Sequence, residues 1–302
     1  MLPLSAYRDA IHLDEPLPDT DNDPRSFDEL INVALNGLEG RALDEPRPER
    51  SVFTMSGLFN TLRVELMKRT PSELPEEVSN AIRSLLVRHS AHLGRTTGAN
   101  LMRINEMWPQ SDYGSARNVA VWRGDVRELV VDAVVNAALP DLQGCRNSLH
   151  PCIDNYIQGQ AGPWLRNDCA IIHELQGSDE EIGGAKLTRG YCLPAKYVLH
   201  TVSPRIQNGV ITDADREALA SCYTSCLDLA LEKGDIHTVS FCALSTGENG
   251  FPFEEASSIA LTTVNRWLVK HGTGVIRLIV FNIFEDEDAE RYSNLLANWI
   301  ED

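Results

Sequence analysis

Two cysteines and a histidine lie within eight residues of one another, at Cys145, His150 and Cys152. Two thiolates and an imidazole suit Zn²⁺, and three protein ligands leave one tetrahedral position for water or substrate, as in catalytic zinc sites. The spacing C-x4-H-x-C is not a common zinc-finger spacing, and a short cysteine-containing loop often binds no metal. The residue types therefore indicate a zinc enzyme, and they leave a metal-free loop open.

The composition excludes one class of partner. The chain has 302 residues, of which 43% are hydrophobic and 24% charged, and its formal net charge is -17. Nonspecific nucleic-acid binding depends on clustered Lys and Arg, so we expect no nucleic-acid partner. A small phosphorylated molecule stays possible, because backbone N–H groups can hold an anion without an excess of basic side chains.

The cysteine count indicates a reducing compartment. Seven cysteines have no framework spacing, and the N-terminus lacks an apolar segment after a basic start. No run approaches the roughly 18 apolar residues of a membrane span. We expect an intracellular, cytoplasmic protein without a membrane partner, in which the cysteines outside the first loop are small buried hydrophobic residues, namely Cys169, Cys192, Cys222, Cys226 and Cys242.

The first part of the chain predicts a helical extension over residues 1–117. Residues 1–50 are acidic and rich in proline, which indicates extended, mostly solvated chain, except for a helix predicted after the Ser26–Glu29 capping signal. Apolar residues at helical intervals predict two more helices between 54 and 93, separated near Pro71. Residues 94–117 are rich in Gly, Thr, Asn and Ser and are interpreted as a connection.

From residue 118 to 302 short apolar runs alternate with helical patterns. Strands are predicted at 119–122, 130–135, 197–202, 238–242 and 275–281, and helices near 153–176, 213–233, 253–271 and 286–300. This alternation is typical of an α/β domain with helices on both faces of a largely parallel sheet. Such sheets bind ligands at the carboxyl ends of their strands.

Three ordered motifs resemble the macrodomain, the ADP-ribose-binding fold. They are Trp122–Val126 with Val131–Ala138, then Gly184–Pro204, and then Ser245–Pro252. The inserted segment Gly144–Asn155 resembles the zinc-containing branch, whose members hydrolyse protein ADP-ribosylation. The resemblance implies a three-layer α/β/α macrodomain with a mixed, largely parallel sheet. It also implies one Zn²⁺ per chain, with Cys145, His150 and Cys152 as the ligands.

The resemblance assigns adenine to Asp125 with Val126, the distal ribose to Asn136, and an acid–base role to Asp154. Each has a plainer alternative, since Asp and Asn often cap helices or form turns. The glycines near 247 let backbone N–H groups converge on a diphosphate, although such a loop is often only a turn. The predicted diphosphate loop is Ser245, Thr246, Gly247, Glu248, Asn249 and Gly250, with Phe251 beside the distal ribose or simply packed.

Two departures from the pattern concern the distal ribose. Leu139-Pro140 replaces the family's second asparagine and serine, and Gln158 stands where a histidine is frequent. His200 is interpreted as a structural strand residue. The predicted function is zinc-dependent removal of ADP-ribose from mono-ADP-ribosylated proteins. The alternatives are a noncatalytic ADP-ribose reader with structural zinc, an O-acetyl-ADP-ribose deacetylase, and a regulatory protein whose helical extension docks a partner.

Overall fold

The computed structural model describes residues 2–17, 23–45 and 55–300. Three helices precede the sheet, α1 Phe27–Leu38, α2 Met55–Lys68 and α3 Glu76–Leu93. The later helices are α4 Ile104–Met107, α5 Ile153–Ala161, α6 Pro163–Gln176, α7 Asp213–Lys233, α8 Phe253–His271 and α9 Asp286–Ala297. The strands are β1 Thr96–Thr97, β2 Val119–Arg123, β3 Leu129–Val130, β4 Ala133–Ala137, β5 Ala185–Arg189, β6 Tyr197–Thr201, β7 Thr238–Cys242 and β8 Leu278–Ile283.

Six strands form one sheet in the order β2-β8-β7-β4-β6-β5. All neighbours are parallel except β5, which runs antiparallel to β6, and the short β1 and β3 pair separately. Every residue of β6 and β8 is buried, so side chains on both faces are covered, as in sheets with helices on each side. The structure confirms the predicted three-layer α/β/α architecture with a mixed, largely parallel sheet.

Two predicted elements are interrupted. The strand predicted over 130–135 is divided into β3 and β4. The break lies at Asp132, whose carboxylate accepts hydrogen bonds from the backbone N–H groups of His237 and Thr238, both at 3.0 Å. The helix predicted over 153–176 divides at Gly162, where φ is 94°, and α6 begins at Pro163. Proline suits a first helical position because that position needs no backbone N–H.

The three N-terminal helices form a core of their own beside the sheet domain. The predicted capping box is present, since the Ser26 hydroxyl accepts from the backbone N–H of Glu29 at 3.3 Å. Leu30, Leu62 and Ile82 are wholly buried in this second core. Contacts of α2 and α3 with α5 attach this helical layer to the sheet domain.

Residues 4–13 correct the expectation of a solvated N-terminus. Leu4, Tyr7 and Ile11 are buried in the main core, and the Tyr7 hydroxyl accepts from the backbone N–H of Leu187 in β5 at 3.0 Å. The expectation is wrong there because apolar residues at near-helical spacing cover the sheet's last strand. Residues 18–22 and 46–54, which include part of that prediction, lie outside the described residues. Within the described ranges, no helix combines the length and apolarity that crossing a membrane requires.

Candidate active site

The predicted site residues gather at one edge of the sheet. Asp125 follows β2, Asn136 lies near the end of β4, and residues 245–250 follow β7. These strands are parallel within the sheet, so their carboxyl ends meet at one edge. Loops at such an edge form the usual ligand crevice of open α/β sheets.

The loop between β4 and α5 brings the three candidate metal-binding residues together. The ligand atoms of Cys145, His150 and Cys152 all lie within 4.8 Å of one another, and Cys145 Sγ is 3.6 Å from His150 Nδ1. Tetrahedral zinc with bonds of about 2.3 Å to sulfur and about 2.0 Å to nitrogen separates two such ligands by roughly 3.5 Å. The donor types and the Cys145–His150 distance therefore show a cluster that could hold a metal ion such as zinc.

Glu248 of the predicted diphosphate loop faces the histidine of this cluster. Its Oε1 is 3.2 Å from His150 Nε2, while Nδ1 of the same ring points towards Cys145. A carboxylate that accepts from one ring nitrogen fixes the tautomer and leaves the other nitrogen available to a metal. The sequence placed Glu248 in the diphosphate loop, and this side-chain contact with His150 was not predicted.

A buried amide and a buried carboxyl lie beside the cluster. Asn136 Nδ2 donates to Asp154 Oδ1 at 2.7 Å, and Gln158 Nε2 donates to the same oxygen at 2.8 Å. Burial raises the pKa of Asp154, although both donors and the backbone N–H of Cys145 oppose the rise. Asp154 lies inside the first turn of α5, whose N-cap is Cys152, so it does not occupy the N-cap position that the plainer interpretation gave it.

Several acceptor atoms in this group lack a partner among the described residues. They are Asn136 Oδ1, Asp154 Oδ2 and Gln158 Oε1. A buried acceptor without a donor is costly, and such groups in folded proteins usually meet water or a ligand. The cluster of acceptors is therefore suited to a ligand that carries hydroxyl groups, and Gln158 has a place in it that sequence reasoning missed.

His200 extends this network behind Asn136. Asn136 Nδ2 lies 3.3 Å from His200 Nδ1, and His200 Nε2 lies 2.9 Å from Thr188 Oγ1. Complete burial lowers the pKa of His200 to about 3, so the ring is neutral near pH 7. The amide donates to Nδ1, which makes Nε2 the protonated nitrogen and Thr188 its acceptor. Periodicity could show only that His200 lies in a buried strand.

The other predicted carboxylate, Asp125, lines a separate cavity of about 230 Å³. Its Oδ1 accepts from Arg127 Nε at 2.9 Å and also caps the short 3₁₀ helix at Val126–Glu128. Burial raises the pKa of Asp125, but the hydrogen bonds and charge of Arg127 outweigh burial and hold it below its ordinary value. Asp125 therefore both caps a turn and faces a cavity.

This cavity, called the nucleobase-sized cavity below, is completed by residues that were not predicted from the sequence. The Arg127 guanidinium lies 4.7 Å from the centre of the Tyr156 ring, and Phe284 is 69% exposed at the cavity mouth. A largely apolar space with one carboxylate acceptor has the features of a small-molecule pocket. The residues lining it are Gly124, Asp125, Val126, Arg127, Pro151, Ile153, Tyr156, Asn282 and Phe284.

The predicted diphosphate loop forms a tight turn between β7 and α8. Ser245 has φ 65°, and its hydroxyl donates to the Pro204 carbonyl at 2.9 Å. Gly250 has φ 73° and donates through its backbone N–H to the Gly247 carbonyl at 2.9 Å. Glycine adopts positive φ without strain, which explains its use at this turn. Thr246 and Asn249 lie in the same turn, where their side chains donate to the Ala243 carbonyl and to Ser203.

Phe251 directly follows this loop and is almost wholly buried in the main core. This is the packing alternative that the sequence left open. Its backbone N–H donates to the Ser245 carbonyl at 2.9 Å, so the residue also closes the turn. Val126 is likewise buried and lines the nucleobase-sized cavity through part of its surface.

Curated proteins of bacterial origin are similar to the chain. A protein-ADP-ribose hydrolase of Staphylococcus aureus is 45% identical over 175 residues, which are 58% of this chain and 65% of the relative. One of Treponema medium is 47% identical over 177 residues, 59% of this chain and 66% of the relative. The chain thus spans slightly less than two thirds of these relatives' length.

Solved macrodomain structures are also similar to the chain. The Trypanosoma brucei macrodomain in complex with ADP-ribose is 33% identical with a TM-score of 0.55, covering 66% of this chain and 76% of its own. The macro domain of ganglioside induced differentiation associated protein 2 is 31% identical with a TM-score of 0.56, covering 67% and 94%. The sequence itself matches the Macro domain over residues 135–260. The chain belongs to the macro domain family.

Proposed function

We propose that this chain hydrolyses the bond between ADP-ribose and a side chain of a mono-ADP-ribosylated protein, with one zinc ion at Cys145, His150 and Cys152. One observation carries the proposal. Buried acceptor oxygens without partners, on Asn136 and Asp154, lie beside a cluster of zinc-type ligands at the carboxyl edge of the sheet. The names of the bacterial relatives and the ADP-ribose in the trypanosomal structure support the substrate.

We propose that an extended nucleotide lies along the carboxyl edge of the sheet. We place adenine in the 230 Å³ cavity, with its exocyclic amine donating to Asp125. The diphosphate lies over the backbone of residues 245–250, at the entrance to α8, where a helix N-terminus favours negative charge. The distal ribose then meets Asn136 and Asp154. We assign this domain to residues 118–302 and the helical extension to 1–117, with residues 4–13 packing into the domain core.

Cys145, His150 and Cys152 would hold the metal ion. When bound, zinc polarises an oxygen ligand or lowers the pKa of bound water towards about 7, which supplies a nucleophile at neutral pH. Glu248 orients the His150 ring through Nε2. Nδ1 of that ring then faces Cys145 Sγ, and the ligand atoms of the three residues lie within 4.8 Å of one another.

Asp154 takes the proton in the reaction that we propose. A water oxygen forms the new bond to the anomeric carbon of the distal ribose, while the bond from that carbon to the protein side chain breaks. The water proton passes to Asp154 Oδ2, the oxygen without a partner, and the departing side chain takes a proton from solvent. Asn136 and Gln158 hold Oδ1 of the same carboxylate and so fix its orientation.

Metal analysis and a release assay on the same protein samples test the proposal. The full chain is incubated with a mono-ADP-ribosylated protein, and free ADP-ribose is measured beside the zinc content. We expect about one zinc per chain, and loss of both zinc and release in Cys145→Ala. Cys226→Ala, which removes a buried core thiol of α7, is the matched control. Release by Cys145→Ala at the parent rate would refute the zinc mechanism.

Two other results would replace the proposal with an alternative function. Tight ADP-ribose binding without release from any modified protein would identify a reader in which zinc only stiffens the loop. Release of acetate from O-acetyl-ADP-ribose, with none of the sugar released from protein, would identify a deacetylase. The products distinguish these cases directly, because the bonds that break are different.

A further inference from the structure

The Cys145–Cys152 loop is held from outside by a helix of the N-terminal layer. Arg63 of α2 donates from Nη1 to the Ser148 carbonyl at 3.1 Å, between two of the metal-ligand positions. From inside, Asn155 Nδ2 donates to the carbonyls of Asn147 and His150, both at 2.8 Å. The loop contains no helix or strand between β4 and α5, so such side-chain contacts have to define its shape.

The position of Arg63 is determined by its surroundings. Asn60 Oδ1 accepts from its Nη2 at 2.9 Å, and the guanidinium lies 5.3 Å from the centre of the Tyr156 ring. Below it, α5 carries Gly159, where an added Cβ would lie only 2.5 Å from Arg63 Cγ. The Arg63 side chain therefore occupies the space that any larger residue at 159 would need.

A second arginine ties the other end of α2 to the segment that precedes the loop. Arg166 of α6 donates from Nη1 to the Leu66, Met67 and Arg69 carbonyls at 3.2, 3.0 and 2.9 Å. Its Nε donates to the Gln143 carbonyl at 3.0 Å. Cations favour the carbonyl end of a helix, where backbone acceptors lack intrahelical partners. The chain is thus linked to α2 at residue 143 and again at residue 148.

We propose that α2 is a structural part of the metal site and that Arg63 is the positioning residue through which it orders the Cys145–Cys152 loop. The inference rests on the proposed function, since it concerns the site assigned to zinc. It extends that function by giving the N-terminal helical layer a role in ligand geometry, instead of a separate docking role.

Arg63 would preorganise the loop before the metal binds. Two thiolates and an imidazole bind a metal only when their loop adopts one shape, and ordering a flexible loop at the moment of binding weakens affinity. Residues outside the ligand set typically change metal affinity by roughly 10- to 100-fold when removed. Arg63 is partly exposed, so we expect an effect near the lower end, about tenfold.

Three variants of the full chain distinguish the effect of the position of the Arg63 guanidinium from the effect of its charge. Arg63→Met removes the guanidinium. Gly159→Ala keeps the guanidinium but displaces it, because the new Cβ clashes with Arg63 Cγ. Arg83→Met is the matched control, since Arg83 belongs to the same helical layer but its guanidinium lies over Trp164, 4.7 Å from the ring centre.

Zinc affinity is measured by competition with a chromophoric chelator, and hydrogen exchange over residues 144–152 is measured on the metal-free proteins. We expect both test variants to bind zinc about tenfold more weakly and to exchange faster in this loop. Arg83→Met should match the parent, and exchange in α7 and α8 should be unchanged throughout. Equal zinc affinity and equal loop exchange in Arg63→Met and the parent would overturn the inference.

The two readouts keep this inference separate from the proposed function. A parent chain that binds no zinc would refute the proposed function, and exchange in the metal-free loop would then decide the role of Arg63 alone. Faster exchange over the whole molecule in Arg63→Met would indicate global destabilisation. In that case Gly159→Ala decides, and loop exchange at the parent rate in that variant would count against the inference.

Discussion

The candidate site contains two aspartates, half-buried Asp125 and buried Asp154, whose pKa values shift in opposite directions. At the nucleobase end, burial raises the pKa of Asp125, but Arg127 outweighs burial and the pKa falls below its ordinary value. At the metal-loop end, burial raises the pKa of Asp154, and the amide donors Asn136 and Gln158 do not compensate. The carboxylate of Asp125 is thus stabilised as an anion by a paired arginine, whereas the donors around Asp154 do not offset its burial.

This contrast separates recognition from chemistry. An aspartate paired with an arginine keeps its charge and geometry, which suits a fixed acceptor for a ligand amine. A buried carboxyl with an unpartnered oxygen has a stronger tendency to take a proton, which suits proton transfer. The first end therefore should control affinity, and the second should control rate.

The largest expected effect comes from removing the charge at the metal-loop end. Asp154→Asn keeps the shape of the side chain but cannot accept a proton from water at neutral pH. We expect the rate of ADP-ribose release to fall about 10²- to 10⁴-fold, as for the loss of a general base. A release assay at saturating substrate, with zinc content as a folding and loading check, measures this. A rate within threefold of the parent would show that Asp154 is not the base.

A smaller effect is expected at the nucleobase end. Asp125→Asn removes the charge that strengthens the hydrogen bond to an adenine amine, and it leaves Arg127 without its partner. We expect ADP-ribose affinity to weaken about 30-fold, from the usual energy of one charge-assisted hydrogen bond. Calorimetry gives the dissociation constant, and kinetics should show a larger rise in KM than fall in kcat. The reverse pattern would remove the proposed division between the two ends.

Lowering the pH should reduce the stability of the folded protein through His200, which lies behind the metal-loop end. The unfolded chain binds a proton at this histidine below about pH 6.5, whereas the folded chain does so only near pH 3, so the free energy of unfolding falls as pH is lowered. In His200→Gln this contribution is absent. The loss of stability between pH 7.5 and pH 5.5 should then be smaller by about 1.4 kcal/mol.

Urea unfolding at the two pH values measures this difference. Cys169 and Thr188 face the His200 ring, at 3.8 and 2.9 Å from Nε2, and both are unchanged in the variant. His271→Gln on the surface is the control and should keep the parental pH dependence. Identical pH dependence in His200→Gln would mean that the buried ring does not resist protonation.

The smallest expected effect concerns the cavity mouth. Phe284→Ala removes an exposed ring that would cover one side of a bound base, a contact worth roughly 0.5–1.5 kcal/mol. We expect ADP-ribose affinity to weaken about threefold. Val269→Ala, an equally exposed apolar change on α8, should leave the affinity unaltered. If both variants bind as the parent does, the base does not lie against Phe284.

Most elements of the fold could be predicted because apolar periodicity is a local property. The patterns predicted α7 and α8 at their observed bounds. The errors have nonlocal causes. Residues 4–13 are buried because they cover β5, about 180 residues later in the chain, and Asp132 interrupts a strand because it bonds to residues near 237.

The candidate site was predictable only in its residue types. Cys145, His150 and Cys152 are close in sequence, so their spacing alone predicts that they can converge. Arg63 and Ser148 are 85 residues apart, and Asn136 and His200 are 64 apart. No local pattern marks such pairs, which explains why the roles of Arg63 and His200 were not anticipated.

The sequence by itself determined most of the helices and strands, although not β1 or β5, and the chemical types available at the sheet edge, because propensity, periodicity and side-chain chemistry are local. Only the tertiary structure decided which oxygen of Asp154 has no partner, in which direction the pKa of each aspartate moves, and that α2 lies against the Cys145–Cys152 loop. The reason is physical, since desolvation and long-range hydrogen bonds depend on which distant segments pack together.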